Sequence, residues 1–550
     1  MVLPASYIFL ALALSPFALA ADVNYEFNID NSIVAPDGFE RAGCIVNGLV
    51  PGTLIQASKN DVLHIKTNNN LTDPTMRRLY RRSFSIHWHG LFQMRTNSED
   101  GPAFVNQCPV SPQHSYTYDI PLNGQAGTFW YHSHLSSQYA DGLRGPLVIY
   151  DPEDPHLSLY DVDDENTVIT LAEWYHLPTI GIEDTYFKVS HHEPIPDSGL
   201  INGVGRYIGG PQVPWARINV EAGKRYRFRV INIAAYAAFT FSIDQHQLTV
   251  IEADGISHEP LTVDGFEILV AQRYSVVVEA NQPVGNYWIS APMTMQHSSD
   301  NDNLDTENVF AVLHYIGAPD ADPTGKPKAF GAVTTAAGPT PDVAAKGGLK
   351  LLDESDLHPL VNPEAPGGSG PADRVIDLDF HHDTDTGEVE WTINGIKYES
   401  PDLPTLLNIM VNNFTNEDQF TTSEHTFVLK RDDIVEVQIH GSADGHKHPF
   451  HLHGHVFSVV QAMTGAPNFV NPPQRDVVGV GGSTVIIRFK ADNPGPWFLH
   501  CHIDWHLVAG LAVVFAEDPE GAQSGPKSQI IKQEWLDLCP IYQALPPELQ

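Results

Sequence analysis

The stretch Phe498–Leu511, which reads F-L-H-C-H-I-D-W-H-L-V-A-G-L, constrains the fold more than any other part of the chain. Its centre is His500-Cys501-His502, and His506 follows the cysteine by five residues. In an extended strand, successive side chains point to opposite faces, so the two flanking histidines face one way and the cysteine the other. A strand here therefore predicts two separate metal sites on one run of backbone. Cysteine and histidine together indicate copper, zinc or iron.

The cysteine side of this strand predicts an electron-transfer site. Two histidines and one cysteine in a trigonal arrangement form such a copper site, and Cys501 and His506 supply two of its three ligands. The chain also contains four His-x-His pairs, whose eight imidazoles are too many for one copper ion but suit three. His448 is left over and completes the cysteine site. The pairs are His87/His89, His132/His134, His451/His453 and His500/His502.

These motifs, in this order, resemble the copper signatures of the multicopper oxidases, and the similarity to the fungal laccases extends through nearly the whole mature chain. One His-x-His pair alone is equally compatible with two strand histidines or a zinc site. Four ordered pairs with the cysteine argue against that explanation. The other segments that carry the resemblance are D-G-P-A-F-V-N-Q-C at 100–108, T-F-W-Y-H-S-H-L at 128–135, D-G-L-R-G-P at 141–146, L-I-N-G at 200–203, K-R-Y-R-F-R at 224–229, H-P-F-H-L-H-G-H at 448–455 and N-P-G-P-W-F-L-H-C-H at 493–502.

The resemblance implies four copper ions: one type 1, one type 2 and two coupled type 3. His448, Cys501 and His506 are implied as ligands of the type 1 ion, and His87 and His451 as ligands of the type 2 ion. Two further histidines with similar spacing, at 446 and 455, fall outside the ligand set. The implied ligands of the coupled pair are His89, His132, His134, His453, His500 and His502.

Leu511 occupies the axial position of the type 1 site in the laccase pattern, ten residues after the cysteine. Leucine cannot coordinate a metal, and it also reads simply as a core residue. Without a thioether ligand the oxidised copper is less stabilised, so we expect a higher potential than at a methionine-ligated site. A higher potential favours the oxidation of phenols that are difficult to oxidise.

Three carboxylates match laccase positions with catalytic roles. Asp100 and Asp504 match acids near the cluster that serve the reduction of O2 to water, although either could instead orient a ligand histidine. Asp197, in P-D-S-G-L-I-N-G, matches the acid that accepts a proton from a bound phenol. It also fits a turn residue before Ser198-Gly199. By the same resemblance, His506 is the point at which electrons enter.

Three strand-rich stretches predict three consecutive domains in the 550 residues. We expect domains at 22–152, 153–320 and 321–550, with a Gly- and Pro-rich linker over 316–371 across the last boundary. The C-terminal tail is polar, with one short helix expected over Ile530–Leu538. Composition alone does not distinguish a cupredoxin domain from an immunoglobulin-like sandwich. The resemblance implies an all-β protein of three consecutive cupredoxin-like Greek-key β-sandwich domains. Because the copper motifs lie only in the first and third domains, we expect these two to face each other.

The charge and the N-terminal segment indicate an extracellular protein. The chain has 31 Lys and Arg against 67 Asp and Glu, a net charge of -36, which argues against binding to nucleic acids or anionic membranes. Residues 1–20 read as a signal peptide ending in Ala18-Leu19-Ala20. A membrane anchor is the alternative, but the apolar run is short and Pro16 interrupts it. We expect a secreted monomer.

Cysteines and sequons add expectations of covalent modification. The chain has four cysteines. By resemblance, Cys108 pairs with Cys539, which leaves Cys44 unpaired beside the ligand Cys501. Asn70-Leu71-Thr72 and Asn413-Phe414-Thr415 are N-glycosylation sequons, although such triplets also occur by chance.

The resemblance implies a laccase, which oxidises phenols and aromatic amines by one electron each and reduces O2 to water. The first alternative is a metallo-oxidase that takes electrons from Fe(II). That activity needs carboxylates beside the type 1 histidines, and no acid other than Asp197 matches in the sequence. Ascorbate oxidase is a second alternative, and a non-catalytic copper carrier is a third. A carrier needs only the cysteine site, so the eight cluster histidines argue against it.

Overall fold

The computed structural model describes residues 20–71, 82–325, 350–384, 387–441 and 446–546. The predicted signal peptide therefore lies outside the described residues except for Ala20. The prediction of an all-β protein is confirmed, since three successive stretches of chain each form a pair of sheets and helices are few and short.

The first pair of sheets contains four strands in each sheet, ordered β2-β1-β4-β6 and β3-β8-β7-β5. In β4 the side chains of Leu63, Ile65 and Thr67 are buried while their neighbours are more accessible, the alternation of a strand with one face on a core. The strands are β1 (Asp22–Val34), β2 (Arg41–Val46), β3 (Ile55–Ser58), β4 (Val62–Asn69), β5 (Ile86–His89), β6 (Ser115–Pro121), β7 (Gly127–Ser133) and β8 (Arg144–Tyr150).

The second pair has a seven-stranded sheet, β11-β10-β9-β13-β18-β15-β16, and a six-stranded sheet, β12-β21-β19-β14-β17 with β20 beside β14. Its strands are β9 (Val168–Trp174), β10 (Ser198–Ile201), β11 (Val204–Gly205), β12 (Arg217–Val220), β13 (Arg225–Asn232), β14 (Ala238–Ile243), β15 (Leu248–Ala253), β16 (Ile256–Val263), β17 (Gly265–Ile268), β18 (Arg273–Glu279), β19 (Asn286–Ser290), β20 (Met293–Thr294) and β21 (Phe310–Tyr315).

The third pair has a six-stranded sheet, β23-β22-β25-β30-β27-β28, and a five-stranded sheet, β24-β32-β31-β26-β29. Its strands are β22 (Arg374–Asp383), β23 (Glu390–Ile393), β24 (Thr426–Leu429), β25 (Ile434–His440), β26 (His448–Leu452), β27 (Phe457–Gln461), β28 (Gln474–Arg475), β29 (Val477–Val480), β30 (Val485–Lys490), β31 (Gly495–Cys501) and β32 (Ala512–Glu517). The helices of the chain are α1 (Thr179–Thr185), α2 (Thr405–Asn412), α3 (Asp504–Val508), α4 (Pro519–Gln523) and α5 (Gln533–Gln543).

The three sheet pairs share one topological feature: each sheet contains a parallel pair among otherwise antiparallel strands. These pairs are β1 with β4 and β3 with β8, β9 with β13 and β12 with β21, and β22 with β25 and β24 with β32. A recurring mixed pattern indicates three copies of one domain architecture.

The strands that carry the metal motifs are buried on both faces. Every residue of β5, β7, β26 and β31 is buried, unlike the alternating strands at the surface. One face of such a strand packs into its own sandwich, and the other is covered by a neighbouring domain. This arrangement removes the motif histidines from solvent.

The middle domain connects the other two through hydrogen bonds and ion pairs. The Thr128 backbone N–H of the first domain donates to Glu252 Oε1 at 2.7 Å. Arg273 pairs with Asp476 of the third domain at 2.6 Å, and Arg475 Nε donates to Asp254 at 2.9 Å. The outer domains are thereby held in a fixed relation.

The C-terminal tail returns to the first domain. The predicted disulfide between Cys108 and Cys539 is confirmed, and Cys44 is free and buried. The helix expected over Ile530–Leu538 starts later and runs further, as α5, because the Ile530 N–H donates to the Arg95 carbonyl at 2.9 Å. Trp535 Nε1 donates to the Asn106 carbonyl at 2.9 Å, so both a covalent bond and hydrogen bonds fix the tail.

The described residues bear on two expectations about the surface, those of glycosylation and of a membrane span. Asn70 and Asn413 are both exposed, and their glycosylation stays a prediction. Among the described residues, no helix combines the length and the apolar character that a membrane span requires.

Replacing both Cys108 and Cys539 by serine should lower the onset temperature of thermal unfolding. Loss of a native disulfide typically costs about 2–5 kcal/mol, and this one joins residues 431 positions apart. Differential scanning calorimetry measures the effect, and Cys44→Ala, a buried thiol outside any disulfide, is the control. An onset temperature that drops no further in the double variant than in the control would contradict the role assigned to the tail.

Candidate metal centre

Strand pairing brings the four His-x-His motifs together in two adjacent pairs. In the first domain, β5 lies antiparallel to β7 with His87 opposite His132. In the third domain, β26 lies antiparallel to β31 with His451 opposite His500. Because alternate residues share a face, each pair of strands presents its histidines as one patch, and the two patches face each other.

The eight histidines form one buried cluster that divides into groups. His89, His132 and His502 form one group, and His134, His453 and His500 a second, with the ligand atoms of each group within 4.8 Å of one another. His87 and His451 meet beside His89 in a third group. The first two groups contain the six residues that the sequence assigned to the coupled ions.

The ring nitrogens indicate the kind of group that the cluster can bind. Six of them are buried and have no hydrogen-bond partner among the described residues: His87 Nε2, His89 Nδ1, His132 Nε2, His134 Nε2, His451 Nε2 and His502 Nε2. An unsatisfied buried polar atom is costly, so this many around one space indicates a missing group that accepts lone pairs. In the second group, His453 Nε2 and His500 Nε2 approach to 3.0 Å, as ligands of one ion do.

The opposite ring nitrogens hold the imidazoles in orientation. His87 Nδ1 lies 2.8 Å from the Asp100 carbonyl, and His451 Nδ1 lies 2.8 Å from that of Asp476. His132 and His500 make the same contact, at 2.9 Å, with the carbonyl of the next residue in the chain. A carbonyl accepts the N–H of each ring, which leaves the nitrogen that faces the cluster unprotonated for a metal.

Burial favours the neutral form of seven of the eight cluster histidines. Burial, reinforced by repulsion between neighbouring imidazoles, holds the pKa of six of them well below the ordinary 6.5, and burial lowers the pKa of His500 to about 3. Metal ligation requires neutral imidazole, so the cluster is prepared to bind cations across the usual pH range. The six are His89, His132, His134, His451, His453 and His502.

The cysteine site lies on the other face of β31. Cys501 Sγ is 3.5 Å from His506 Nδ1 and 3.8 Å from His448 Nδ1, and the two Nδ1 atoms are 3.1 Å apart. All three side chains are buried. The geometry suits the predicted His2Cys site, in which one ion is bound by a thiolate and two imidazoles.

The loop between β31 and β32 positions the rest of this site. His506 lies on the short helix α3, and the Leu511 N–H donates to its carbonyl at 3.0 Å. The Cys501 N–H donates to the Leu511 carbonyl at 3.2 Å, and the leucine is fully buried. The backbone therefore fixes the apolar residue beside the thiolate.

Asp100 contacts two cluster histidines. Its Oδ2 lies 2.9 Å from His453 Nδ1, and its Oδ1 lies 3.3 Å from His87 Nδ1. Burial raises the pKa of this carboxyl, although His87 and His455 act to lower it. The side chain joins ligands of the first and third domains, which is the orienting role that the sequence left open.

Asp504 lines a cavity of about 410 Å³ that leads to the cluster. Four cluster histidines line the same cavity, as does Glu183, which accepts a hydrogen bond from Ser137 Oγ at 2.6 Å. The cavity therefore offers a small molecule a path to the imidazoles. The four are His132, His134, His500 and His502.

Asp476 is a functional residue that the sequence reasoning missed. Its Oδ1 lies 3.2 Å from His89 Nε2, and both its oxygens accept from the Arg273 guanidinium, at 2.6 and 2.7 Å. Burial raises its pKa above the usual range, against the arginine. Asp476 lies outside every motif. Its position as an acidic residue directly before the buried strand β29 was the only sign of its role in the sequence.

Asp197 lines a second cavity, but a different acid contacts His506. The cavity, about 540 Å³, is lined by Asp197 and by Glu193. Glu193 Oε1 accepts from His506 Nε2 at 2.9 Å. No acid other than Asp197 matched in the sequence, so Glu193 is an acid beside a type 1 histidine that the sequence did not indicate. Glu193 occupies the loop after α1, four residues before Asp197, and no repeat or spacing marked it.

Comparison with known proteins identifies the family. Family models described as multicopper oxidase match residues 28–154, 165–318 and 398–521. Laccase-4 of Thanatephorus cucumeris is 57% identical over 509 residues, which cover 92% of this chain and 91% of the relative. Laccase-2 of Agaricus bisporus is 51% identical over 535 residues, covering 97% of each chain.

Solved structures of similar proteins point to the same family. The laccase from Botrytis aclada superposes with a TM-score of 0.80 at 32% identity, covering 96% of this chain and 93% of that one. Fet3p, described as a multicopper oxidase that functions in iron import, superposes with a TM-score of 0.81 at 28% identity, covering 96% and 98%. These likenesses confirm the prediction of three consecutive cupredoxin-like domains. The chain belongs to the multicopper oxidase family and, within it, to the fungal laccases, which makes it a copper-dependent oxidoreductase.

Proposed function

We propose that the protein oxidises phenols and aromatic amines by one electron at a time and reduces O2 to two molecules of water, using four copper ions. Bound copper supplies one-electron oxidation at the cysteine site and O2 reduction at the histidine cluster. The observation that carries the proposal is the bridge between them: Cys501 faces His448 and His506, while His500 and His502 lie in two different groups of the cluster. An electron therefore has only a few bonds to cross.

The ligand assignment follows the sequence prediction. We assign His448, Cys501 and His506 to the type 1 ion and His87 and His451 to the type 2 ion. The six cluster nitrogens without a partner among the described residues support this set, since all of them belong to the ligands assigned to the type 2 ion and to the coupled pair. For the coupled pair we assign His89, His132, His134, His453, His500 and His502.

The carboxylates divide between positioning and proton supply. Asp100 orients His87 and His453, as its contacts indicate. Asp504 lines the cavity that leads to the cluster. We therefore assign it the role of holding the protons that O2 reduction consumes. Asp197 and Glu193 line the cavity of about 540 Å³, which we assign to the reductant and call the reductant cavity. We assign Asp197 and His506 to the reductant side of the reaction.

The reductant cavity suits an aromatic ring. Phe39, Tyr175, Leu177 and Ile182 line it together with the acids, so the cavity offers both apolar and polar surface. A phenol or an aniline needs both, a surface for the ring and an acceptor for its O–H or N–H.

Oxidation of Fe(II) is a second candidate, because Glu193 supplies the acid beside His506 that this activity needs. The likeness to Fet3p points the same way. The apolar cavity wall and the higher identity to laccases favour the aromatic reductant.

The expectation of a secreted, glycosylated monomer belongs to the same proposal. The disulfide between Cys108 and Cys539 supports the extracellular location, since such bonds form in oxidising compartments.

The copper-loaded protein should consume O2 with a higher kcat/KM for 2,6-dimethoxyphenol than for Fe(II) at mildly acidic pH. An oxygen electrode measures both, and protein stripped of copper by a chelator is the control that should consume none. A higher kcat/KM for Fe(II) would keep the metal sites and overturn the aromatic reductant.

Leu511→Met should lower the potential of the type 1 site, because a thioether stabilises oxidised copper at a position where leucine cannot. Redox titration of the blue absorption measures the potential, and the rate with phenols that are difficult to oxidise should fall with it. Leu499→Met, a buried leucine of β31, is the matched control. An equal shift in the two variants would contradict the axial placement.

Asp476→Ala should lower both stability and copper content. It removes both hydrogen bonds that the guanidinium of the fully buried Arg273 makes to a carboxylate and leaves only the longer contact with Asp254, at 3.7 Å, so that stability should fall by up to about 3–5 kcal/mol. It also removes a contact that orients His89, which costs about 10–100-fold in metal affinity. Calorimetry and metal analysis measure the two effects. Glu26→Ala breaks the exposed pair with Lys66 and should change neither. Unaltered copper content in Asp476→Ala would refute the orienting role.

A further inference from the structure

The edge of His506 that points away from the metal is covered by a carboxylate. Its Nδ1 faces Cys501, so its Nε2–H points toward the reductant cavity, where Glu193 Oε1 accepts it at 2.9 Å. The Glu193 side chain is 13% exposed, and it lines the cavity whereas His506 does not. A molecule in the cavity therefore meets Glu193 before it meets the imidazole.

Asp197, the acid expected from the sequence, is differently placed. Its Oδ2 accepts from the His176 N–H at 2.7 Å, and its Oδ1 accepts from the side-chain amides of Asn301 at 3.1 Å and Asn303 at 2.8 Å. Both oxygens are engaged in joining two loops of the middle domain. This pattern is that of a residue which shapes the cavity.

Acidic side chains outnumber the two histidines, His176 and His192, that also line the cavity. Three carboxylates line it, those of Glu193, Asp197 and Asp300, and none of the described lining residues is a lysine or arginine. His176, the nearest basic group to Asp197, is shared with Asp37 at 2.8 Å. Apolar walls lower the local dielectric, so the carboxylates act on a bound molecule more strongly than they would in water.

We infer that Glu193 is the specificity-determining residue of the reductant cavity and that it selects phenols and aromatic amines that carry a positive charge over those that carry a negative one. The inference rests on the proposed function, since it concerns the molecule that supplies the electron. Glu193 accepts the N–H or O–H donors of the reductant, and its Oε1 connects them to His506 by a single hydrogen bond. Asp197 is a positioning residue, and Asp300, exposed at the rim, contributes a field that solvent screens.

The test uses three catechols that differ in charge: dopamine (cationic), 4-methylcatechol (neutral) and 3,4-dihydroxyphenylacetate (anionic), at pH 6 and low ionic strength. The wild type should favour dopamine over the acid in kcat/KM. Glu193→Gln should reduce this ratio about tenfold, the effect of one charge pair in a partly shielded cavity. Asp300→Asn, the same loss of charge at the rim, should change it far less, and added salt should reduce the wild-type ratio.

Persistence of the blue absorption in Glu193→Gln shows that the type 1 site is intact, so that the ratio reports on the reductant. An unchanged ratio in Glu193→Gln, or an equal change in Asp300→Asn, would overturn the inference. Oxidation of neutral 4-methylcatechol by the wild type reports separately on the proposed function. If that oxidation fails, calorimetric binding of redox-inert 4-methoxyphenethylammonium and 4-methoxyphenylacetate to both proteins decides the inference by the same ratio.

Discussion

The alternation of side chains along one strand is the constraint on which the rest of the structure depends. In β31 and the residue after it, Cys501 faces one way and His500 and His502 the other. The two faces must therefore be enclosed separately: one by the third domain with His448 and His506, the other by a second sheet that brings its own histidines. A single domain cannot do both, because the cluster needs two sheets facing each other.

The two sheets enclose imidazoles whose inward nitrogens have no hydrogen-bond partner among the described residues. The free-energy cost of this arrangement must be offset by interactions elsewhere in the protein. Buried lone pairs without partners are costly, and the cluster has several before a metal binds. The compensation comes from the middle domain and the tail. Arg273 and Asp476 join the second and third domains inside the protein, and Cys108 and Cys539 join the first domain to the tail. Breaking a buried pair costs about 3–5 kcal/mol, so these links are suited to holding the two sheets in place around the cluster.

The sequence predicted those parts of the site whose spacing follows from a strand. The His-x-His pairs, Cys501 and the leftover His448 could be found because each motif is local and its period is two. Asp476 and Glu193 could not, because each meets its histidine across a distance of more than three hundred residues in sequence and carries no repeat. The helix in the tail was misplaced for a similar reason, since its start depends on the contact between Ile530 and Arg95 in another domain. Local sequence patterns therefore predict the metal ligands, whereas tertiary contacts determine which acids hydrogen-bond to them.

The most direct test of the account is the number of phenol molecules oxidised for each O2 consumed, measured together with hydrogen peroxide. If Cys501 passes single electrons through its neighbours to the histidine cluster, four one-electron oxidations should accompany each O2, with no peroxide released. A ratio of two with a matching yield of peroxide would show that the cluster does not complete the reduction, and would contradict the account.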